Sequence, residues 1–248
     1  MLLADLITAF MLLTRLPVGR FAGSPDLGRC VWAFPLVGLV VGGIGSLVYG
    51  LAHWLGMPPL VAAGWTVAAT MLVTGALHED GLADTADGFG GGGTPARKLE
   101  IMRDSRIGSY GALALVLSVV VRVAAIAALG RPWAAAAVII LAAMVGRAAI
   151  LVVLLIIAPA RDDGMGSAMG TPHAGRIALG LGLAVASAFL STPPRAAVAA
   201  VVLGLGSALV LAKLAASQIG GYTGDVLGAA EVLAECVVLT AAASVGGA

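Results

Sequence analysis

Residues 78–111 read HEDGLADTADGFGGGGTPARKLEIMRDSRIGSYG, and this polar stretch differs from everything around it. It holds six of the chain's thirteen acidic residues and four of its fourteen lysines and arginines. The segments on both sides are almost uninterrupted apolar sequence. A charged side chain inside a lipid bilayer costs about 2.5–3.5 kcal/mol on insertion scales. A chain this apolar therefore gathers charge only where a site or a membrane surface requires it.

The overall composition is that of an integral membrane protein. Of the 248 residues, 60% are hydrophobic and 11% are charged, whereas about 25% of a soluble domain is charged. The net charge is +1 and no basic run occurs, so nothing indicates a nucleic-acid partner. Cys30 and Cys236 lie far apart in apolar surroundings and lack the spacing of a metal site.

Seven apolar segments divide the rest of the chain into spans and loops. About 20 helical residues cross the hydrocarbon core of a bilayer. The segments are residues 31–52, 60–77, 111–129, 133–158, 177–191, 196–211 and those that follow Asp225. Only helices and closed barrels span lipid, and the sequence has no alternating strand pattern. We therefore predict a single domain, residues 1–248, that is an all-α polytopic bundle of about seven transmembrane helices.

The first 20 residues predict a separate helix that does not cross the bilayer. The apolar run at residues 6–13 is too short to span. Leu2, Leu6, Phe10 and Leu13 share one helical face. This pattern is typical of an interfacial or re-entrant helix, which we expect to end at Pro17.

Charge asymmetry predicts the orientation of the bundle. With seven spans, ten of the fourteen basic residues fall in loops on one side, two on the other and two inside helices. The positive-inside rule places the larger group on the cytoplasmic side of the inner membrane of a bacterial cell. The loops that carry residues 78–111, residues 161–163 and Asp225 then share one face and can build one site. The ten residues are Arg15, Arg20, Arg29, Arg97, Lys98, Arg103, Arg106, Arg161, Arg176 and Lys213.

Three aspartates in the polar stretch predict a metal site. Asp80, Asp84 and Asp87 stand at positions i, i+4 and i+7, so a helix places their carboxylates on one face. Their mutual repulsion is relieved when a cation lies among them. Carboxylate oxygens suit Mg²⁺ or Mn²⁺ rather than Zn²⁺. The alternative is a solvated acidic turn at a helix end, where aspartate is also favourable.

The residues after the aspartates indicate phosphate chemistry. Residues 88–93, GFGGGG, predict a flexible hinge, and Thr94 and Pro95 predict the cap and first residue of a new helix. Arg103 and Arg106 follow, and the planar guanidinium group matches phosphate oxygens in a bidentate manner. The same arginines can instead anchor the loop at the membrane surface. A second polar loop, residues 158–176, is either a lid over the site or a plain connector.

Charges inside the apolar segments predict a buried ion pair. At 1.5 Å per residue, Arg122, Arg147 and Glu235 lie roughly 15–18 Å inside their helices. Buried charges are normally paired. We therefore expect Glu235 to pair with Arg147 or Arg122, in a structural role.

Long motifs in this chain closely resemble the cobalamin synthase (adenosylcobinamide-GDP ribazoletransferase) family. They are HEDGLADTADGFGGG, which starts at His78, and RKLEIMRDSRIGSYGALAL, which starts at Arg97. The resemblance extends to FMLLTRLP at residues 10–17 and to GGYTGDVLGAAEVLAE at residues 220–235, so it covers most of the chain. Glu79 falls at the variable position of the family's H-x-D-G element, so the resemblance assigns it no role.

The resemblance implies a reaction. The adenosylcobinamide-phosphate group of adenosylcobinamide-GDP is transferred to α-ribazole, or its 5′-phosphate, and GMP is released. Mg²⁺ is the implied cofactor. The partners are the two substrates and the lipid bilayer, and a homo-oligomer is compatible with the sequence. The candidate residues are Asp80, Asp84 and Asp87 for the metal, Arg103, Arg106, Arg161 and Arg176 for substrate, and Asp104, Asp225 and His78 for the catalytic base.

Two alternative functions share some of these features. A CDP-alcohol phosphotransferase-like enzyme also uses helically spaced aspartates, but its D-G-x-x-A-R core is absent here, because Asp80-Gly81-Leu82-Ala83 is followed by Asp84. A cation transporter also places acids beside spans, but near the middle of the membrane. Nucleotide release by the purified protein distinguishes an enzyme from a transporter.

Overall fold

The computed structural model describes residues 2–19 and 26–246, and in this part of the chain the regular structure is helical. One isolated bridge joins Pro159 to Tyr222, and a 3₁₀ turn, Val31–Ala33, joins α2 to α3. Arg20, counted above among the cytoplasmic charges, lies outside the described residues. The helices are α1 (Leu2–Leu13), α2 (Leu27–Cys30), α3 (Phe34–Trp54), α4 (Pro59–Thr74), α5 (Leu77–Gly91), α6 (Pro95–Ile101), α7 (Ser109–Leu129), α8 (Pro132–Ile156), α9 (Gly164–Ala168), α10 (Ala174–Ser191), α11 (Pro194–Ile219) and α12 (Gly224–Gly246).

The number of membrane-crossing helices agrees with the prediction. Among the described residues, six helical stretches are long and apolar enough to cross a bilayer, namely Leu27–Trp54 and helices α7, α8, α10, α11 and α12. The pair α4 and α5 makes a seventh if it counts as one broken span. The all-α polytopic bundle predicted from the sequence is therefore confirmed.

The second predicted span, residues 60–77, ends earlier than expected. Helix α4 stops at Thr74, and α5 leaves it at an angle of 92°. Gly75 and Ala76 both have left-handed backbone angles, with φ of 68° and 55°. Their amides bond back to Leu72 O and Met71 O, at 3.2 and 2.8 Å, and so complete the carbonyl caps of α4. The acidic stretch therefore begins a helix of its own that bends sharply away from α4.

Helix α8 forms the centre of the bundle. It packs against α3, α10, α11 and α12, and residues 141–151 are buried on every side. The contact with α3 is close because Gly42 faces α8, where a Cβ atom would lie only 2.7 Å from the Cα atom of Ile140. Small residues at such positions let two backbones approach and increase the van der Waals contact that holds helices together in lipid.

Helix α1 is 12 residues long, too short to cross a bilayer, and it ends at Leu13 rather than at Pro17. Its buried residues are Asp5, Ala9 and Leu13, whereas Leu2 is exposed. The predicted apolar face was therefore only partly right. Asp5 lies on the buried side because it pairs with Arg176, whose Nη1 is 2.9 Å from a carboxylate oxygen.

We predict that the loops between α6 and α7 and around α9 lie on the same, cytoplasmic side. In a variant with Cys30→Ala and Cys236→Ala, single cysteines at Ser105 and Ser167 should react with a membrane-impermeant maleimide only after the inner face is exposed. A cysteine at Arg195, in the loop before α11, should show the opposite accessibility and serves as the control. Opposite labelling of the first two positions would contradict a single shared site.

Candidate active site

The candidate site lies where α5 crosses the beginning of α12. Gly81 faces Asp225, and a Cβ atom at Gly81 would lie 2.7 Å from the carbonyl oxygen of Asp225. On the other helix, a Cβ atom at Gly228 would lie 3.1 Å from the carbonyl oxygen of His78. These two glycines allow the backbones to approach closely. The crossing brings Asp80 and Asp84 of α5 beside Asp225 of α12.

Asp80, Asp84 and Asp225 form an acidic surface, a name we keep for these three residues. Asp80 is exposed, and the other two are half-buried. Asp84 experiences the negative charges of Asp225, Asp80 and Asp87, in that order of strength. Sequence spacing could pair residues only along α5, so the contribution of α12 to this surface was not foreseen as part of a metal site.

Asp87, the third predicted metal ligand, has a different environment. It is buried, and its two carboxylate oxygens accept hydrogen bonds from the backbone amides of Gly108 and Gly111, at 2.7 and 2.8 Å. These amides belong to the first turn of α7, whose unpaired N–H groups and dipole favour an anion. Asp87 therefore ties α5 to the start of α7.

The acidic surface fits a divalent ion that arrives with a phosphate. Among the described residues, no three His, Cys, Asp or Glu side chains converge closely enough to form a closed metal cage. Mg²⁺ does not require one, because it usually keeps several waters and binds through one or two carboxylates plus phosphate oxygens. Exposed and half-buried carboxylates at the crossing of two helices provide this type of donor set.

The glycine run after Asp87 does not form the predicted hinge. Helix α5 continues to Gly91, and only Gly92 and Gly93 lie in the connection to α6. The glycines serve close packing, since a Cβ atom at Gly90 would lie 2.6 Å from the ring of Tyr110. Thr94 caps α6 as predicted, and its hydroxyl oxygen accepts a bond of 3.3 Å from the Arg97 amide.

Asp225 lies in the first turn of α12 and does not cap this helix. Thr223 does so, because its hydroxyl oxygen accepts a bond of 3.3 Å from the Val226 amide. The same hydroxyl donates a bond of 3.0 Å to a carboxylate oxygen of Asp225. The carboxylate of Asp225 thus lies in the first turn of α12 and faces α5.

Ion pairs join the loop after α6 to the loop around α9, and join the latter loop to Asp225 of the acidic surface. Arg103 Nη2 donates to both carboxylate oxygens of Asp163, at 2.6 Å each. Arg161 lies 3.6 Å from Asp163 and 3.7 Å from Asp225. Met169, from the same polar loop, lines the cavity described below. The loop around α9 therefore borders the acidic surface at Asp225, while Asp80 stays exposed.

Arg106 and Asp104, both predicted site residues, form an ion pair with each other. Arg106 Nη2 lies 2.6 Å from Asp104 Oδ2, and both side chains face solvent. Hydrogen bonds from Arg106 lower the pKa of Asp104 to about 2. A carboxylate with so low a pKa accepts a proton poorly near neutral pH. Of the three candidate bases, Asp104 is thus the least suited by its environment.

Arg176 is engaged at a different place from the other arginines. Its Nη1 donates to Asp5 of α1, and also to the carbonyl oxygen of Arg29. Arg29 itself lies 3.4 Å from Asp5. Arg176 therefore holds the N-terminal helix against the start of α10, and its contacts within the described residues do not include the acidic surface.

His78 lies below the acidic surface, in the interior of the bundle. It is only 3% exposed, and its Nδ1 is 3.7 Å from an oxygen of Glu231. This histidine adjoins a group of buried charges in which Glu235 pairs with Arg147 at 2.6 Å and with Arg122 at 3.5 Å. The ion pair predicted for Glu235 is confirmed, and it involves both arginines.

The buried ion cluster is larger than the predicted pair. Glu79 lies 2.8 Å from Arg122, and Glu231 lies 2.5 Å from Arg147. We use the name buried ion cluster for Glu79, Arg122, Arg147, Glu231 and Glu235. Glu79 was missed because it occupies a variable motif position and lies on the opposite side of α5 from the aspartates. The apolar segments hold two arginines and two glutamates, so their charge count gave no signal for a third acid.

A cavity of about 170 Å³ opens beneath the acidic surface. Its walls are mainly apolar, and Asp80, Asp225 and His78 are its charged or titratable side chains. The apolar lining comes from α1, α3, α5, α8, α12 and the α9 loop, through Leu12, Leu13, Phe34, Leu77, Ile150, Met169 and Leu227.

Comparisons with known proteins find one matching family model and several named relatives. Residues 5–243 match the family model described as cobalamin-5-phosphate synthase. An adenosylcobinamide-GDP ribazoletransferase of Bradyrhizobium diazoefficiens is 44% identical over 98% of this chain and 94% of its own length. Proteins of the same name from Azorhizobium caulinodans and Xanthobacter autotrophicus are 44% and 46% identical, over 96% and 95% of this chain and 94% of each relative. No solved structure matches the chain.

We predict that Glu235→Gln lowers the stability of the folded protein more than its specific activity. The change leaves Arg147 and Arg122 with less negative charge, and breaking a buried pair typically costs about 3–5 kcal/mol. Thermal unfolding of the purified protein in detergent measures the effect. Glu100→Gln removes the partner of Arg97 at an exposed pair and is the matched control, with little expected change. An unchanged unfolding temperature for Glu235→Gln would show that the cluster is not stabilising.

Proposed function

The chain belongs to the cobalamin-5-phosphate synthase family, and we propose that it catalyses its transfer reaction on the acidic surface. The reaction moves the adenosylcobinamide-phosphate group of adenosylcobinamide-GDP to α-ribazole, or its 5′-phosphate, and releases GMP. It is the step that assembles the nucleotide loop of cobalamin. Family membership decides against the two alternatives considered above, a CDP-alcohol phosphotransferase-like enzyme and a cation transporter.

The observation that carries the placement is the meeting of three carboxylates from two helices below the guanidinium groups of Arg103 and Arg161. A nucleotide diphosphate ester is an anion with several oxygens, so it requires both a cation and hydrogen-bond donors. The acidic surface supplies ligands for the cation, and the two arginines supply donors. Nη1 of Arg161 is buried without a hydrogen-bond partner among the described residues, which leaves it available to an anion.

The chemistry is a substitution at phosphorus. The 3′-hydroxyl oxygen of the ribazole forms a bond to the phosphorus attached to the cobinamide side. The bond from that phosphorus to the bridging oxygen breaks, and GMP leaves with the bond electrons. The hydroxyl proton passes to a base, and negative charge develops on the leaving phosphate.

Asp80 and Asp84 are the proposed ligands of Mg²⁺, which when bound would neutralise charge on the diphosphate. Asp87 stood with them in the sequence prediction, and its bonds to Gly108 and Gly111 favour a positioning role for it. Asp87 holds the start of α7 against α5. It thereby fixes the position of Asp84 and Asp80, which lie one and two turns before it on α5.

Arg103 and Arg161 are the proposed phosphate-binding residues. Both now contact Asp163, and Arg103 does so with both carboxylate oxygens. Two phosphate oxygens can replace a carboxylate in this arrangement, because both present paired acceptors to the planar guanidinium group. Before substrate binds, the carboxylate of Asp163 would hold the two arginines beside the acidic surface. The phosphate of the substrate would then take the place of this carboxylate.

Asp225 is the proposed base for the ribazole hydroxyl. Asp104 is held ionised by Arg106, and its pKa of about 2 makes it a weak acceptor of protons. His78 lies deeper, beside Glu231. Asp225 is at the rim, half-buried, with its carboxylate held by the hydroxyl of Thr223. We propose that the whole site lies on the cytoplasmic side of the inner membrane.

We predict that Asp80→Asn and Asp84→Asn each lower GMP release by about a hundredfold or more. Each change keeps the size of the side chain and removes a charge that Mg²⁺ requires. The assay mixes purified protein with adenosylcobinamide-GDP, α-ribazole and a series of Mg²⁺ concentrations, and measures GMP. At least one variant should need more Mg²⁺, while the thermal stability of both remains that of the wild type.

Two further variants serve as references for this experiment. Asp162→Asn changes an exposed acid of the neighbouring loop and should leave turnover unchanged. Asp87→Asn should lower both stability and turnover, because it weakens the link between α5 and α7. Wild-type turnover of Asp80→Asn and Asp84→Asn at low Mg²⁺ would contradict the metal site.

A further inference from the structure

The cavity below the acidic surface has no assigned occupant in the reaction proposed above. We propose that it binds the flat heteroaromatic base of the acceptor substrate, and that His78 recognises a ring nitrogen of that base. The inference rests on the proposed function, because it takes α-ribazole, a riboside of dimethylbenzimidazole, as the acceptor.

The size and lining of the cavity suit this base. A closed cavity of about 150 Å³ lined by Leu, Ile and Phe takes up benzene. The cavity here has about 170 Å³ and is open at the acidic rim, so a two-ring base can enter while its sugar remains outside. Phe34, Leu77 and Leu227 provide apolar walls for the rings and methyl groups, and Met169 is an adaptable thioether from the α9 loop.

The same lining disfavours the other heteroaromatic group of the reaction. Guanine carries several hydrogen-bond donors and acceptors along its edges. Burying such groups without partners costs free energy, and the apolar walls offer few partners. The two methyl groups and the carbocyclic ring of dimethylbenzimidazole have no such requirement. The cavity is thus selective for the acceptor base and not for the nucleotide of the donor.

His78 provides the polar contact inside the cavity. It lines the cavity, is only 3% exposed, and its Nε2 has no hydrogen-bond partner among the described residues. Its Nδ1 is 3.7 Å from Glu231, beyond hydrogen-bond distance, so this contact does not hold the proton at Nδ1. Nε2 is closed to solvent in this structure, so the entering base must shift the neighbouring side chains before Nε2–H donates to its ring nitrogen that carries no sugar. A buried polar atom without a partner is unfavourable, and the base relieves that cost.

The position of the cavity also orients the acceptor for reaction. Asp80 and Asp225 belong to its lining, and of these two Asp80 is exposed and Asp225 half-buried, so we place the rim of the cavity at these carboxylates. A base in the cavity leaves its ribose at this rim, beside the carboxylate proposed to take the hydroxyl proton. The apolar floor therefore positions the nucleophile, while the arginines above bind the donor.

The first test varies the ligand and needs no mutation. Wild-type protein is assayed for GMP release with α-ribazole and with the isosteric indole riboside, in which a C–H group replaces the bare ring nitrogen. The loss of one hydrogen bond, with Nε2 left unpaired, should lower kcat/KM by about tenfold or more. His78→Leu should lower the value for α-ribazole to a similar level, with no further loss for the indole riboside. His78→Gln retains a donor and should recover part of the discrimination.

The second test fills the cavity by enlarging an apolar lining residue and leaves the charged residues unchanged. Leu12→Trp should raise the KM for α-ribazole by about tenfold or more, because a bulky ring takes the space of the base, while the KM for adenosylcobinamide-GDP stays unchanged. Ala134→Trp is the matched control, because it enters a separate cavity lined by Leu129 and Trp133. It should leave both constants unchanged.

The outcomes separate this inference from the proposed function. If wild-type protein releases no GMP with any acceptor, the proposed function fails and the inference fails with it. If GMP is released but the indole riboside is as good an acceptor as α-ribazole, His78 does not recognise the base. If Leu12→Trp leaves the KM for α-ribazole unchanged, or raises both constants equally, the base lies elsewhere.

Discussion

The pairing of charges inside an apolar bundle is the constraint on which the rest of this structure depends. In lipid, Arg122 and Arg147 cannot remain without partners. Their partners come from two other helices, Glu79 from α5 and Glu231 and Glu235 from α12. These contacts fix α5, α7, α8 and α12 relative to one another. The acidic surface is positioned by that arrangement, because Asp80 directly follows Glu79 and Asp225 begins the helix that carries Glu231.

Helix α5 combines structural and chemical roles on opposite sides. His78 and Glu79 face inward: Glu79 belongs to the buried ion cluster, and His78 lies beside it. Asp80 and Asp84 face the site. Such a polar helix can enter the bundle because close glycine contacts with α12 exclude lipid from its backbone. A firmly positioned site is what phosphoryl transfer requires, since most of its catalysis is positioning and charge neutralisation.

The arginines divide into those that hold the fold and those that face the site. Arg122 and Arg147 pair with glutamates inside the bundle, and Arg176 holds α1 through Asp5. Arg103 and Arg161 both contact Asp163, in the loop that borders the acidic surface. Because that loop and the loop after α6 are joined by exposed ion pairs, they can separate and close again at small energetic cost. The structure thus couples a firmly paired interior to a weakly paired entrance.

The sequence by itself determined the properties that depend on a single segment: the apolar spans, the helical spacing of Asp80 and Asp84, and the cap at Thr94. It also predicted the pairing of Glu235, because depth along a helix follows from residue number. Only the tertiary structure decided the turn after Thr74, the engagement of Asp87 by α7, the addition of Asp225 to the acidic surface, and the place of Arg176. Periodicity shows which side chains share a face of one helix. It does not show which other helix meets that face, and here those meetings between distant segments determine which charges are free to do chemistry.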